Sequence, residues 1–462
     1  METIIQQIAN EMVGEIITTA LENKLNLERM IPRILELLKG YAAGIVRQLI
    51  MMTDKNMVED KACRRSEGLV IERRADKRSV MTEIGEIQYE RAYYLNQGTG
   101  TYGYPIDQLI GVIPYQHVDV GLSKALVSKS REESYGRVVR DCCDGKLSRQ
   151  TVFNKIRLAQ AVIEVPLEKR KVPELHFDAD EDHVAMQGGK GKKTRAIVPL
   201  ISVYEGIEQD GKRHRCKNVF HISAYGKSPE ELWEEVLTRT EQRYDLSDTK
   251  IYLHGDGAGW IAKGIDSLYK SKFVLDKYHK NKYINQLLGG YDKGKAKQLR
   301  KDLNQALNDK DEVYFDNIVQ LLLMEMPHRT EKILVAANYL KQHMPAIAIH
   351  QEDPSAGNGG ATEPHISHVL SSRLSSRPMG WSKGTLVRFA PILANGPEVS
   401  IKRNKPSSCL SMTAVKAFKA TQGRAKEIRL KEAQPSVFPV VQLGKRTELY
   451  RLLHSMELSP SY

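Results

Sequence analysis

Cysteine is scarce: five residues in 462, at Cys63, Cys142, Cys143, Cys216 and Cys409, with no Cys-x-x-Cys pair. That spacing argues against a structural zinc site. An odd, scattered set suits reduced thiols in a cytoplasm rather than a disulfide framework. Cys142 and Cys143 are adjacent on one predicted helix, point in different directions, and read as buried side chains. Long apolar runs are also missing. No stretch reaches eighteen apolar residues, so no membrane span is expected. The opening METIIQQIANEMVGEII carries acids and amides where a secretory signal places a basic stretch and then an apolar one. A cytoplasmic protein with no membrane partner is the expectation.

What is present is a folded composition, 41% hydrophobic and 27% charged. The length predicts two to four domains. The formal net charge is +12. An excess of that size favours a polyanionic partner, and nucleic acid is the commonest one. The plainer reading of the charge alone is a basic, unspecific surface.

Residues 1–60 carry apolar side chains every three or four positions (Ile4, Ile5, Ile8, Met12, Val13, Ile16, Ile17) and a second series from Ile34 to Leu49. This period predicts two amphipathic helices, packed on the next domain or pairing with a second copy. Residues 61–104 hold short β-type runs broken at Gly68 and Gly85, which read as a small twisted β-ribbon. Its Arg64, Arg65, Arg73, Arg74, Lys77 and Arg78 either meet phosphates or form a solvated face. Within 105–165, SYGRVVRDCC reads as a helix and DGKL as a turn with Gly145 suited to positive φ. SRQTVFNKIRLAQAVI follows as a basic helix capped by Ser148. The pattern is that of a helix-turn-helix DNA-binding region, and equally of an ordinary helical hairpin. In a helix-turn-helix the second helix enters the major groove. Arg149, Gln150 and Asn154 are then the base-reading residues, and Lys155 and Arg157 the phosphate contacts. VPLEKRKVPE (165–174) reads as a linker.

Beyond the linker the pattern turns to mixed α/β. ELHFDADEDHVAMQ (174–187) alternates Leu175, Phe177 and Ala179 with His176, Asp178 and Asp180, the period of a strand with one apolar face. TRAIVPLISVYEGI (194–207) and KNVFHISAYG (217–226) read as two more strands, with Asp210-Gly211 as turn material between them. Short connections imply an antiparallel meander. A helix follows, with Ser228 as cap, Pro229 in first position and Glu231 closing a capping box. TKIYLHGDGAGWI (249–261) is a buried strand ending in a glycine-rich turn, and KFVLDKYHKNKYI (272–284) a strand passing into a helix. The order β-β-β-α-β-α-β-α is that of a ribonuclease H-like fold, which serves polymer-cutting nucleases, transposases and unrelated ATPases. In such a sheet the first and fourth strands are neighbours. Asp180 on one and Asp256 just past the other can therefore share a divalent cation. Two such ions about 4 Å apart activate the attacking oxygen and stabilise the leaving one in phosphoryl transfer. Gly255, Gly257 and Gly259 leave room for a DNA backbone; a glycine-rich turn with one surface aspartate is the plainer reading.

TEIGEIQYERAYY, SRQTVFNKI, HFDADEDHV, HGDGAGWI, LDKYH and HISHVLSSRLSSRPMGWSKGT, in this order, resemble the bacterial insertion-sequence transposases of the ISLre group. The resemblance spans roughly residues 60 to 395. It implies a catalytic triad of two aspartates and a glutamate. The acids map to Asp180 of DADEDHV, Asp256 of GDGAGW and Glu363 of GATEPHISHVL, with Glu352 and Asp353 lying nearby as competitors for the third place. LDKYH is similar to the D-x-x-H motif of Mutator-like and hAT-like transposases. That similarity gives Asp276 and His279 a supporting role; a polar helix start with a satisfied histidine is the alternative.

The domain plan completes as a ribonuclease H-like catalytic domain over 173–395, with an all-helical insertion at about 285–355, and a basic C-terminal tail over 396–462. QEDPSAGNGGATEP (351–364) reads as a flexible approach to Glu363. Arg373, Arg377 and Lys383 suit phosphates of the scissile strand. Trp381 either stacks on an unpaired base or packs in the core. The tail is a further phosphate-binding arm or a poorly ordered extension. The implied activity is metal-dependent cleavage at insertion-sequence ends and strand transfer into target DNA. Asp180, Asp256 and Glu363 would hold Mg2+ or Mn2+, two ions in all. The implied partners are double-stranded element ends, target DNA and further copies of the chain, at the nucleoid of a bacterial cytoplasm. The rival readings are a non-catalytic DNA-binding regulator or decayed transposase, and a ribonuclease H-like nuclease.

Overall fold

The computed structural model describes residues 2–188, 194–211, 213–357, 362–377, 379–402 and 411–432. Cys409, the larger part of the expected basic tail and part of the expected approach at 351–364 lie outside the described residues. The architecture is mixed α/β, and the chain divides into two compact units, Met1–Leu122 with Arg403–Tyr462, and Ser123–Lys402.

In the first unit the N-terminal apolar series become α1 (Glu2–Glu22) and α2 (Leu27–Glu59). Asn26 caps α2, its side chain accepting from the Arg29 amide. A short α3 (Lys61–Ser66) leads to β1 (Leu69–Thr82), β2 (Gly85–Asn96) and β3 (Thr101–Gly103), then α4 (Pro105–Leu109). β1 and β2 form the expected antiparallel ribbon, irregular between Ile71 and Asp76 and closed at Gly85, whose φ of +114° suits glycine. The ribbon packs Val80, Ile87 and Tyr89 against Ile50 and Met57 of α2 and against Ala414 and Ala417 of the C-terminal helix Met412–Glu432. The six cations expected at phosphates divide in two. Arg64 donates to the Val58 carbonyl, Arg73 pairs with Asp76, and Arg78 donates to the Ile113 and Gln116 carbonyls, while Arg65, Arg74 and Lys77 stay exposed.

The chain enters the second unit within α5 (Val120–Lys129), followed by α6 (Tyr135–Cys143) and α7 (Arg149–Leu158). Ser134 and Ser148 cap the latter two, and the turn between them takes positive φ at Asp144 and Gly145. Cys143 is buried with its thiol on the Val139 carbonyl, while Cys142 is half-buried. β4 (Ala159–Ala161) and β5 (Arg170–Lys171) precede β6 (Glu174–Ala185). β7 (Arg195–Tyr204) is joined by a small hairpin, β8 (Ile207–Asp210) and β9 (Arg213–Cys216), to β10 (Phe220–Ser223). Next come α8 (Pro229–Glu241) with both hydrogen bonds of the expected capping box, β11 (Tyr244–Asp245), β12 (Lys250–Gly255), α9 (Gly259–Ser267) and β13 (Lys272–Leu275).

Five of these strands form one sheet in the order β10-β7-β6-β12-β13. The first three are the antiparallel meander; β6, β12 and β13 run parallel. The apolar face of β6, Leu175, Phe177 and Ala179, is buried with Trp233, Val236 and Ile261 of α8 and α9. The opposite face presents His176, Asp178, Asp180 and Asp182, as period two requires.

After β13 every described element up to the return to the sheet is helical: α10 (Lys277–Leu288), α11 (Lys293–Asn308), α12 (Glu312–Glu325), α13 (Thr330–Gln342) and α14 (Met344–Glu352), with short 3-10 turns. They share a core of Leu287, Leu303, Phe315, Leu322, Ile333 and Leu340. The chain then comes back across β6 as α15 (Thr362–Ile366), a π-helical turn (Ser367–Ser371) and α16 (Ser372–Leu374), and ends in α17 (Lys383–Ala394) and β14 (Val399–Ile401), which pairs with β4.

Candidate active site

Backbone pairing fixes the position of the acids. The parallel register of β6 and β12 runs to Asp178 opposite His254, and that of β12 and β13 to Gly255 opposite Leu275. Asp180 and Asp256 each stand two residues past the first pair. Asp276 follows the second, its amide donating to the Gly255 carbonyl at 3.1 Å. Asp180 thus stands on β6 just past the end of its pairing with β12, and Asp256 and Asp276 follow the carboxyl ends of β12 and β13, the side on which open α/β sheets place their ligands. Asp256 Oδ1 accepts from the Ala258 amide at 2.8 Å, which fixes the turn. Asp276 caps α10 through the His279 amide at 2.9 Å, and its other oxygen meets His279 Nδ1 at 2.7 Å.

Glu363 lies exposed on α15, which packs on β6 and β7. Burial pushes the Asp180 carboxyl up to about 7; the Glu181 amide and His279 work against the rise, and the charges of Glu363 and Asp256 add to it. Four of the five expected residues therefore interact through their charges around Asp180, and Asp276 joins them through His279. For His279, burial favours the neutral ring, but the hydrogen bond to Asp276 and the charges of Asp276 and Asp256 win and raise its pKa. Among the described residues no three His, Cys, Asp or Glu side chains lie close enough together to hold a metal ion by themselves.

The rivals for the third acid are engaged elsewhere. Glu352 pairs with Lys310. Asp353 takes hydrogen bonds from Lys272 at 2.9 Å and the Tyr252 hydroxyl at 2.8 Å, which hold its carboxyl well below the usual range. Lys272 opens β13, and Lys250, 3.4 Å from Asp353, opens β12. Asp353 therefore sits at the amino ends of the strands, away from Asp180 and Asp256. Asp178 turns inward, accepting from the Tyr204 hydroxyl at 3.1 Å with His365 Nδ1 at 3.8 Å. Glu181 accepts from the Trp260 indole, and Asp182 is buried near Ser371 and Ser375.

The sequence reading missed several supports. The Tyr339 hydroxyl of α13 donates to the Asp256 carbonyl at 2.7 Å, and His343 packs on the same turn. The expected room for DNA at the glycines is largely used internally. A Cβ at Gly255 meets Ile261 and the Ala179 carbonyl, and one at Gly257, where φ is +83°, meets His343; only Gly259 faces open space. Behind Asp180 lies a buried row. His176 Nδ1 is 3.1 Å from His254 Nε2, and the His176 ring stacks on Tyr204 and Tyr252. Burial drives His254 down to about 3 and His221 and His365 to about 4, so these rings are neutral near pH 7. The strand period marked His176 as polar-face; nothing local marked Tyr339 or His343, because only tertiary packing brings them to the turn.

Comparison with known sequences identifies the family. The model of a family described as "Uncharacterised protein family (UPF0236)" matches residues 20–403. The chain belongs to this family. UPF0236 protein TTE0610/TTE0881/TTE1053/TTE2432 of Caldanaerobacter subterraneus subsp. tengcongensis is 33% identical over 99% of the chain and 97% of its own length. UPF0236 protein TTE1650/TTE2708 of the same organism is 33% identical over 99% of the chain and 92% of its own length.

The family match includes the segments expected to meet DNA. On α7 of this UPF0236 chain, Arg149, Gln150, Asn154 and Arg157 are exposed and Lys155 is half-buried; the Gln150 amide donates to Asn154 Oδ1 at 3.1 Å. Arg377 and Lys383 are exposed. Arg373 is not a surface contact: it is 2% exposed, and its guanidinium lies over the rings of Tyr135, Trp381 and Phe389. Trp381 is a core side chain, 4% exposed, with its indole on the Leu374 carbonyl. The base-stacking reading is thereby replaced by packing.

Proposed function

We propose that this UPF0236 protein is a DNA transposase of the aspartate-aspartate-glutamate type, whose second unit is a ribonuclease H-like catalytic body with a helical insertion. One observation carries the reading: Asp180 on β6 and Asp256 past the end of the neighbouring β12, with Glu363 returned to within electrostatic reach of Asp180. The donor set fits a hard divalent cation. It is all oxygen, and the carboxyl of Asp180 is desolvated among like charges, a cost that a cation offsets. Asp180, Asp256 and Glu363 would hold Mg2+ or Mn2+, which supplies charge to activate the attacking oxygen and to stabilise the leaving one. Tyr339 and the Ala258 amide hold the Asp256 turn. Asp276 orients His279 and favours its protonated form, a positive charge beside Asp256.

The net charge of +12 suits double-stranded element ends and target DNA, and the α6–α7 hairpin suits a groove. Leu21, Leu25, Leu27, Ile31 and Leu35 remain exposed on α1, α2 and the turn between them, which suits pairing with further copies. The first relative's name joins four designations for one protein, as repeated copies of a mobile element produce.

The test is cleavage of DNA carrying the element's own ends by the purified full chain in Mg2+ or Mn2+. Wild type nicks at the end boundaries, and Asp256→Asn loses at least about a hundredfold in rate with DNA affinity kept. Full cleavage by Asp256→Asn would overturn the assignment. Tight binding with no cleavage in either metal favours the second reading, a non-catalytic DNA-binding protein, to which the absence of a pre-gathered metal cluster among the described residues lends weight.

A further inference from the structure

A cavity of about 550 Å³ in the second unit opens between α6, the first turn of α7 and the segment 379–385. Its lining includes Arg137, Arg140, Arg149 and Arg373 and no carboxylate. Arg137 has distant carboxylate neighbours, Glu133 at 3.6 Å and Asp141 at 3.8 Å. Among the described residues Arg140, Arg149 and Arg373 have no carboxylate within the 4.0 Å of an ion pair. Arg373 is the decisive one. It is 2% exposed, its Nε donates to the Ser130 carbonyl at 2.6 Å, and its Nη1 lies 3.0 Å from Met379 Sδ. Neither partner carries charge. Burial lowers its pKa, outweighing the charge of Glu133, as for a desolvated cation with no ion-pair partner.

Two more features specify the ligand. Tyr135 lines the cavity, and its buried hydroxyl has no hydrogen-bond partner among the described residues. Tyr135 and the half-buried Phe153 add aromatic surface. Buried guanidinium, free hydroxyl and aromatic walls in a space of this size suit one nucleotide rather than a duplex, whose bases stay stacked. The rim includes Gln187, whose amide donates to the Trp381 carbonyl at 2.9 Å. Gln187 follows Asp180 by seven residues of extended chain, so the cavity stands at most roughly 23 Å along the strand from the acids. That distance is about seven stacked nucleotides.

We propose that this cavity takes one unpaired nucleotide of the DNA strand being processed, its phosphate on Arg373 and Arg149 and its sugar or base against Tyr135 and Phe153. The inference rests on the DNA-processing reading above and names a substrate feature for it: an unpaired nucleotide near the element end.

The test uses the full chain, a fluorescein-labelled single-stranded oligonucleotide read by anisotropy, and thermal melting. Tyr135→Phe removes a hydroxyl that is idle in the free protein, so it keeps the wild-type Tm yet weakens single-strand binding about fivefold. Arg149→Ala at the exposed rim weakens it about tenfold. Wild-type affinity in both variants would overturn the proposal. Deoxythymidine monophosphate or inorganic phosphate binding as tightly as the oligonucleotide would overturn it too, making the ligand a free nucleotide or a bare anion. Failure of the transposase reading has a different signature: no metal-dependent cleavage by wild type, with the Tyr135→Phe effect intact.

Discussion

Asp54 of α2 is 6% exposed, and its one assigned hydrogen bond comes from the Ala92 amide at 3.1 Å. Burial pushes its carboxyl up to about 6, against the Ala92 hydrogen bond and the charge of Arg91. Asp180 shows the same desolvation, but its neighbours include two further carboxylates, an arrangement a cation relieves; Asp54 has none among the causes of its shift. The consequence for Asp54 is a pH-dependent stability. Its folded pKa lies above the unfolded one, so its contribution is full below about 4 and is lost as pH rises through about 6. Other carboxylates of the first unit run the other way: Asp60, Asp76 and Glu67 have lowered values and lose their contribution as pH falls. The clean measurement is therefore a difference. Asp54→Asn mimics the neutral side chain, so denaturant melts of variant and wild type from pH 4 to pH 7 should shift in the variant's favour by about 2 kcal/mol. A difference that stays constant across this range would show that Asp54 is not the titrating group.

At the scale of elements, α13 holds the Asp256 turn from outside the sheet. Tyr339 donates to the Asp256 carbonyl, and His343, one turn on, donates from Nδ1 to the Tyr339 carbonyl at 2.8 Å while filling the space over Gly257. Tyr339→Phe should cost about 1 kcal/mol in stability. It should also lower the cleavage rate at saturating DNA about tenfold with KM unchanged, because the loss falls on acid placement and not on DNA contact. Equal losses in rate and affinity would assign Tyr339 to DNA binding instead. The elements also show how far sequence reading reaches. The sheet was legible because β6 alternates cleanly, α8 announces itself through Ser228, Pro229 and Glu231, and Asp180 on β6 and Asp256 after β12 belong to strands whose order sets them side by side. The inward turn of Asp178, the clamp of Asp353 by Lys272 and Tyr252, and the hold of Tyr339 were not legible. Each depends on a partner distant in sequence, and such pairs leave no period or spacing to read. Arg373 misled for the same reason: a cation in a basic stretch reads as exposed until three aromatic rings from separate elements close over it.

At the scale of the whole molecule, on the transposase reading proposed above, the excess of twelve positive charges would bear on DNA affinity, and the few residues of α7 on sequence preference. The two roles separate by salt. Each phosphate neutralised by a cationic side chain releases counterions, so log K against log salt has a slope near −0.9 per contact, independent of sequence. Arg157 is exposed on α7 and lies over the Phe153 ring, and Gln150 and Asn154 are linked by their amide hydrogen bond; on the proposed reading the first would meet the DNA backbone and the other two a base edge. Arg157→Ala should therefore flatten the salt slope by about one and weaken element-end and unrelated duplexes alike. Gln150→Ala should leave the slope unchanged and weaken element ends by about 1–3 kcal/mol more than unrelated DNA. Titrations from 50 to 200 mM salt on both duplexes, with both variants, resolve the two roles. If Gln150→Ala changes the slope and not the preference, α7 is a phosphate-binding helix of an ordinary hairpin, and recognition of the element ends belongs to another surface of the chain.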